Sequence, residues 1–381
     1  MDWTFFLLLL PLASLSGYLL GRRGGARSTD QRVGELSRDY FRGLNFLLNE
    51  EQDKAIELFQ QLAIVDSDGF DTQLALGNLF RRRGELERAI RLHQDLFTKA
   101  LLTTEQRAIA LLELGDDFVR AGLLDRAEGL FQDLLQIDAE SPRALKHLIG
   151  IYEQEREWAK AIAMAERVQV LTGEATGELI AMYYCELFEI ERENGNLLAL
   201  QDLLQRALAA HGKSLRAHLL QARLELDRAD PSAAELAIER AAALDPLYVD
   251  MVLPHLEALR KLDRARADAL HERLIPSERG LALLLARSET LAIEQGTAAA
   301  AALLRSFLQR KPNLRVLARW LKLSPTTNCA QSDLGLMQDA LAEVAEPKLS
   351  HRCASCGFGT RQLHWQCPSC KSWDSFKPIP L

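Results

Sequence analysis

One phrase returns along this chain, and it leaves little freedom in how the chain can fold. "LGNLFRRRGELERAIRLHQDL" at 76–96 is answered by "LGDDFVRAGLLDRAEGLFQDLL" at 114–135. Both run Leu-Gly-x-x-Phe, then a glycine turn, then an alanine followed four positions on by a ring-bearing residue, His93 in the first and Phe131 in the second. That alanine recurs at Ala55, Ala89, Ala127 and Ala161, becomes Leu200, and returns at Ala234, in steps of 34, 38, 34, 39 and 34 residues. A unit this short cannot bury its own apolar face, so it is stable only when stacked on copies of itself.

The period and the columns match the tetratricopeptide repeat, a pair of antiparallel helices. Gly43, Gly77 and Gly115 fall where the first helix of a pair crosses the second closely. Phe46, Phe80, Phe118 and Tyr152 fill the next layer, and Phe59 and Phe131 pack from the second helix. Gly84, Gly122 and Gly195 sit at the turn, where positive φ is cheap only for glycine. Six clear repeats run from about residue 36 to 248, closed by Asp245-Pro246, with insertions of four and five residues near Thr103 and Thr176. Two degenerate repeats follow to about residue 314, past Ala300 and Lys311-Pro312, and then a helical stretch toward Ala345. The predicted fold class is therefore all-α, a superhelix whose groove is lined by first helices. Candidate groove residues are Asn78, Arg81 and Arg82 from one repeat and Asp116 and Arg120 from the next. Read without a partner, Arg81-Arg82-Arg83 is a solvated face. The Lys and Asn set with which many such domains clamp a terminal carboxylate is missing.

The segment Trp3–Gly21 holds 19 residues without a charge, about 28 Å as a helix, close to the thickness of a bilayer's hydrocarbon. A cleaved signal peptide would carry its basic residues first. Here Arg22, Arg23 and Arg27 come after, which predicts an uncleaved anchor with its N-terminus outside and the rest of the chain in the cytoplasm. Ala13, Gly17 and Gly21 recur every fourth residue, a small-residue face that lets another membrane helix approach.

No catalytic motif emerges. "ALAAHGKS", Ala207–Ser214, has part of the wording of a phosphate-binding loop, but it ends a repeat helix instead of following a strand, which predicts Gly212 as a helix C-cap. His93 falls in a core column and reads as a packed residue. The body is acidic. Residues 348–381 carry five Lys or Arg and one acid, a net +4, which leaves −11 of the total −7 on everything before them. That distribution argues against a protein built to hold nucleic acid.

Of six cysteines, Cys185 and Cys329 stand alone and read as small core or loop thiols. The other four form Cys353-x-x-Cys356 and Cys367-x-x-Cys370, ten residues apart. Two such knuckles facing across a hairpin place four thiolates in a tetrahedron, and reduced cytoplasmic thiols favour a metal over disulfides. The set suits zinc or iron equally. Gly357 gives the first knuckle an unhindered backbone, and Pro368 stiffens the second. Trp365, Trp373 and Phe376 are expected to cover the site, with His351 and His364 beside it and not on the metal.

"CASCGF" and "WQCPSCKSWDSF", combined with the opening "FLLLLPLASLSGYLLGRR" and the repeats, resemble the lipopolysaccharide assembly protein B family of Gram-negative bacteria over the whole chain. The tail alone also resembles the zinc ribbon of the recombination protein RadA, without its ATPase core. The family resemblance implies an anchor at 1–21, a juxtamembrane linker at 22–35, repeats at 36–345 and a rubredoxin-like metal-binding tail at 346–381. It further implies a non-catalytic adapter in the inner membrane, N-terminus periplasmic, that helps the protease FtsH destroy the deacetylase LpxC. A transmembrane partner that reports lipopolysaccharide supply is implied as well. Two other readings stand beside it: a general scaffold for lipopolysaccharide synthesis and export enzymes, and an iron-bearing electron-transfer protein.

Overall fold

The computed structural model describes residues 38–43, 45–46, 51–65, 69–99, 101–275, 280–323, 341 and 349–379. The expected anchor with Ala13, Gly17 and Gly21, the juxtamembrane linker, Cys329 and most of the stretch toward Ala345 lie outside these residues. Among the described residues no helix is long and apolar enough to cross a membrane. The chain divides into two compact units, one reaching to Glu157 together with Val170–Thr172, the other formed by Trp158–Gln169 and Gly173–Leu381.

The first unit is built of helix pairs. Helical residues 38–43 and 45–46 precede Gln52–Val65. Phe70–Arg83 pairs with Leu86–Thr98, Thr104–Arg120 pairs with Leu124–Ile137, and Pro142–Glu155 follows. The repeating column forms the seam between them, with Ala55, Ala89 and Ala127 fully buried; in the second unit the same column places Ala161 and Ala234, fully buried, and Leu200, nearly so. Small size at the crossing is required. A Cβ added at Gly115 would lie 2.6 Å from the Phe131 ring, and Gly77 stands in the same relation to His93.

The inserted residues go mainly into first helices. Thr104–Arg120 and Gly177–Glu193 each have 17 residues where Phe70–Arg83 and Pro142–Glu155 have 14. Three added residues are close to one helical turn, so the apolar face stays in phase. Thr103 marks the start of one long helix by a capping box with Gln106.

The second unit stacks Gly177–Glu193 with Leu197–Ala210, and Leu215–Asp227 with Pro231–Leu244. A 3-10 turn, Pro246–Val252, then leads into Leu253–Leu262 and Arg264–Leu274, followed by Leu281–Glu294, Thr297–Arg310 and Leu314–Leu323. The expected C-cap at Gly212 is not found. The helix before it is capped by His211, whose N–H donates to the Ala207 carbonyl, while Gly212 belongs to the following turn. Ser214 accepts from Ala217 N–H and starts the next helix. Among the described residues no strand precedes this segment.

The turn column contains residues other than glycine. Gly84 and Gly122 take φ of +85° and +73°, and the same place in later repeats falls to Arg156 at +60° and Ala229 at +56°. The tail forms a three-stranded antiparallel sheet, β1 (His351–Cys353), β2 (Gly359–Thr360) and β3 (Phe376–Pro378), in the order β2-β1-β3.

Candidate metal centre

The two Cys-x-x-Cys segments fold as copies of one another. Gly357 N–H donates to the Cys353 carbonyl at 2.9 Å, and Lys371 N–H donates to the Cys367 carbonyl at 2.9 Å. Cys353 N–H donates to Phe358 O at 2.8 Å, and Cys367 N–H to Ser372 O at 2.9 Å. The residue after each second cysteine is left-handed, Gly357 at φ +79° and Lys371 at +61°. Glycine is at ease there and lysine is strained.

This paired geometry turns the four sulfurs inward. Cys353 Sγ lies 3.7 Å from Cys370 Sγ, Cys356 Sγ lies 3.7 Å from Cys367 Sγ, and all four fall within 4.8 Å of one another. A tetrahedron with metal–sulfur bonds of about 2.3 Å has edges of about 3.8 Å, so the cluster has the size of a tetrathiolate site. The donor chemistry agrees. The Ser375 hydroxyl, 3.2 Å from Cys353 Sγ, holds that thiol down to about 6. The Ser372 hydroxyl, 3.3 Å from Cys370 Sγ, lowers that one as well. Cys356 goes the other way. The Phe358 backbone N–H works to lower it, but burial and the sulfurs of Cys370, Cys353 and Cys367 push it up to about 11. Four thiolates this close need a cation to be held together. Cys353, Cys356, Cys367 and Cys370 thus fit one tetrahedral ion, zinc or iron, which supplies the positive charge and the cross-link.

Cys353 and Cys367 are buried under Phe376, whereas Cys356 and Cys370 are exposed. His351 and His364 stay off the cluster: His351 Nδ1 pairs with the Ser350 hydroxyl at 2.8 Å, and the His364 ring lies 5.8 Å from that of Phe376. Cys185 is unlike the four. Burial pushes its thiol up to about 12, consistent with an inert core residue.

Of the aromatics expected to cover the site, only Phe376 does so. The two tryptophans face the helices of the same unit. Trp373 meets Trp158 and Tyr183 edge-on, at centroid distances of 5.9 and 6.0 Å. Trp365 packs on the cluster that includes Leu215 and Leu219, with the Arg216 guanidinium 5.7 Å from its ring centre. Arg216 is held by Glu186 at 2.8 Å, and the Tyr248 hydroxyl donates to the Phe376 carbonyl at 3.0 Å. Between the tryptophans' anchor points Asp374 faces Glu178. Burial raises its carboxyl above the ordinary aspartate range, Glu178 raises it further, and His211 works against the rise. The metal tail is therefore a docked part of the helical unit. Sequence reading missed this seam, because Tyr248 and Phe376 are 128 residues apart and no local pattern joins them.

The expected groove residues occupy different environments. Arg81 is nine-tenths buried and acts as a strut between neighbouring repeats. It donates to Asn78 Oδ1 at 2.6 Å and to Asp117 Oδ1 at 3.0 Å, meets Asp116 at 3.2 Å and pairs with Glu113. Asp117, fully buried, also takes His93 Nδ1. Arg81 is thus not part of a solvated face. Burial, which would lower its pKa, is outweighed by Glu113, Asp116 and Asp117. Arg82 and Arg120 remain exposed.

Residues 351–378 match the family model described as a Rubredoxin metal binding domain. Over 377 residues the chain is 34% identical to Lipopolysaccharide assembly protein B of Escherichia coli strain K12, spanning 98% of this chain and 97% of that one. The protein of the same name from Haemophilus influenzae is 32% identical over 387 residues, with 98% and 97% covered. Among solved structures, a tetratricopeptide repeat protein from Parabacteroides merdae aligns with 67% of this chain and 98% of that one at 19% identity and a TM-score of 0.33. That alignment adds nothing to the fold, which rests on the packing described above.

Proposed function

The chain belongs to the lipopolysaccharide assembly protein B family, and we propose that within it the chain is a non-catalytic, membrane-tethered adapter. In this reading it restrains lipopolysaccharide synthesis by promoting destruction of the deacetylase LpxC by the membrane protease FtsH. The observation that carries the reading is kinship at 34% identity along 98% of the chain, repeats and metal tail together. The apolar segment at 3–21 would hold the protein in the inner membrane with its N-terminus periplasmic and its bulk cytoplasmic. Ala13, Gly17 and Gly21 would face a transmembrane partner that reports lipopolysaccharide supply. Exposed first-helix residues such as Arg82 and Arg120 are suited to meet a partner segment, while Arg81 supports the surface from beneath. The tail contributes shape: Cys353, Cys356, Cys367 and Cys370 hold the ion, and Trp365, Trp373 and Tyr248 fix the result to the helices.

Blocking translation and following LpxC with the protein present and depleted tests this reading. A half-life that lengthens severalfold on depletion supports it, and an unchanged half-life leaves a scaffold for synthesis and export enzymes as the better account. The exposure of Cys356 and Cys370 favours a second reading, electron transfer through iron. A red protein with visible absorption supports that one, and a colourless zinc protein removes it.

A further inference from the structure

We propose that the groove between the helices Leu86–Thr98 and Leu124–Ile137 docks a basic, amphipathic segment of a partner protein. The groove is open to solvent and has a volume of about 740 Å³. Leu114 and Phe118 of the helix Thr104–Arg120 form its floor, and Phe97 and Leu130 are half-buried on its walls. Asp95, Asp125 and Asp133 stand exposed around it, and none of them forms an ion pair among the described residues. Arg126, the one basic residue of the lining, lies against the Phe118 ring at 5.8 Å. An apolar floor rimmed by three carboxylates against one guanidinium fits an apolar side chain flanked by lysine or arginine and repels an acidic segment.

A second observation points to an occupant. Gly129 lines this groove from the interior of the helix Leu124–Ile137, where glycine weakens a helix relative to alanine. Gly115 is glycine because the Phe131 ring presses on it, but a Cβ added at Gly129 would meet nothing within 4 Å. The fold does not need a glycine there, whereas a segment lying across the groove does. The groove is formed largely by second helices over a floor of Leu114 and Phe118, and neither Arg82 nor Arg120 lines it, so the inference does not rest on the adapter reading.

The test uses the full chain in detergent and a phage-displayed library of random dodecapeptides. Selected peptides should place basic residues around a Leu, Phe or Met, and their binding should weaken as salt is raised. The pair Asp125→Lys with Asp133→Lys should weaken binding by about tenfold, and Gly129→Leu, which fills the groove, should abolish it. Gly129→Ala should raise Tm by about 2 °C while weakening binding. Gly150→Ala is the control: this helix-interior glycine also has open space at its Cβ but lies outside the groove, so Tm should rise and binding should hold. The proposal is overturned if no peptide is selected, if the selected peptides are acidic or uncharged, or if their binding is indifferent to Gly129→Leu and to the double charge reversal. LpxC turnover plays no part in these outcomes.

Discussion

At the scale of single residues, buried charge decides more than exposed charge. Arg81 neutralises Glu113, Asp116 and Asp117, and Asp117 has no access to water. Arg81→Ala should therefore cost about 3–5 kcal/mol, the penalty for leaving a buried carboxylate without its cation. Arg82→Ala, one residue on and exposed, should stay within about 0.5 kcal/mol. Urea melts of the two variants test the contrast. The carboxyl of Asp374 is raised by burial and by Glu178. A raised carboxyl contributes stability fully below the ordinary aspartate range and loses it as pH rises through the raised value. At pH 7.5 the seam is therefore weakened by this charge. Asp374→Asn should raise Tm there by about 2 °C, and its advantage over the native protein should shrink toward pH 5. Equal Tm values at pH 7.5, or an advantage that grows with acid, would sink this assignment.

At the scale of elements, the sequence is legible where a constraint is local. The alanine column, the crossing glycines and the turn glycines each follow from contact within one helix pair, and each repeats. The two knuckles are legible for the same reason, since a Cys-x-x-Cys turn is closed by its own backbone. What could not be read is set by partners far along the chain. Trp365 and Trp373 read as covers for the metal because nothing in the tail shows that Arg216, Trp158 and Tyr183 await them. Arg81 read as groove or solvated face because its carboxylates belong to the next repeat. Arg156 and Ala229 escaped the turn column because the backbone there tolerates a residue that it does not favour. The second knuckle offers a direct measurement of that tolerance. Lys371 sits at φ +61° where its twin is Gly357, so Lys371→Gly should stabilise the tail by about 0.5–1 kcal/mol after glycine's own entropic cost. Competition with a chelator reads this as slower metal loss, whereas Gly357→Ala should speed it.

For the whole molecule, the metal tail is a fixed part of the second unit. Small metal-held modules depend on their ion for folding, so losing it should free Trp365 and Trp373 from the helices and expose the apolar surface at Trp158, Tyr183 and Leu215. This separates shape from reactivity. If the ion acts through shape, a tail that keeps its metal but loses its dock should fail as badly as one without metal. The most direct test is the half-life of LpxC in cells whose sole copy of the protein is native, Cys353→Ser or Trp373→Ala, with metal content measured on each purified chain. The account predicts that Trp373→Ala retains its ion and yet lengthens the half-life as much as Cys353→Ser does. A native half-life with Trp373→Ala, beside a lengthened one with Cys353→Ser, would contradict it and place the function in the metal centre itself.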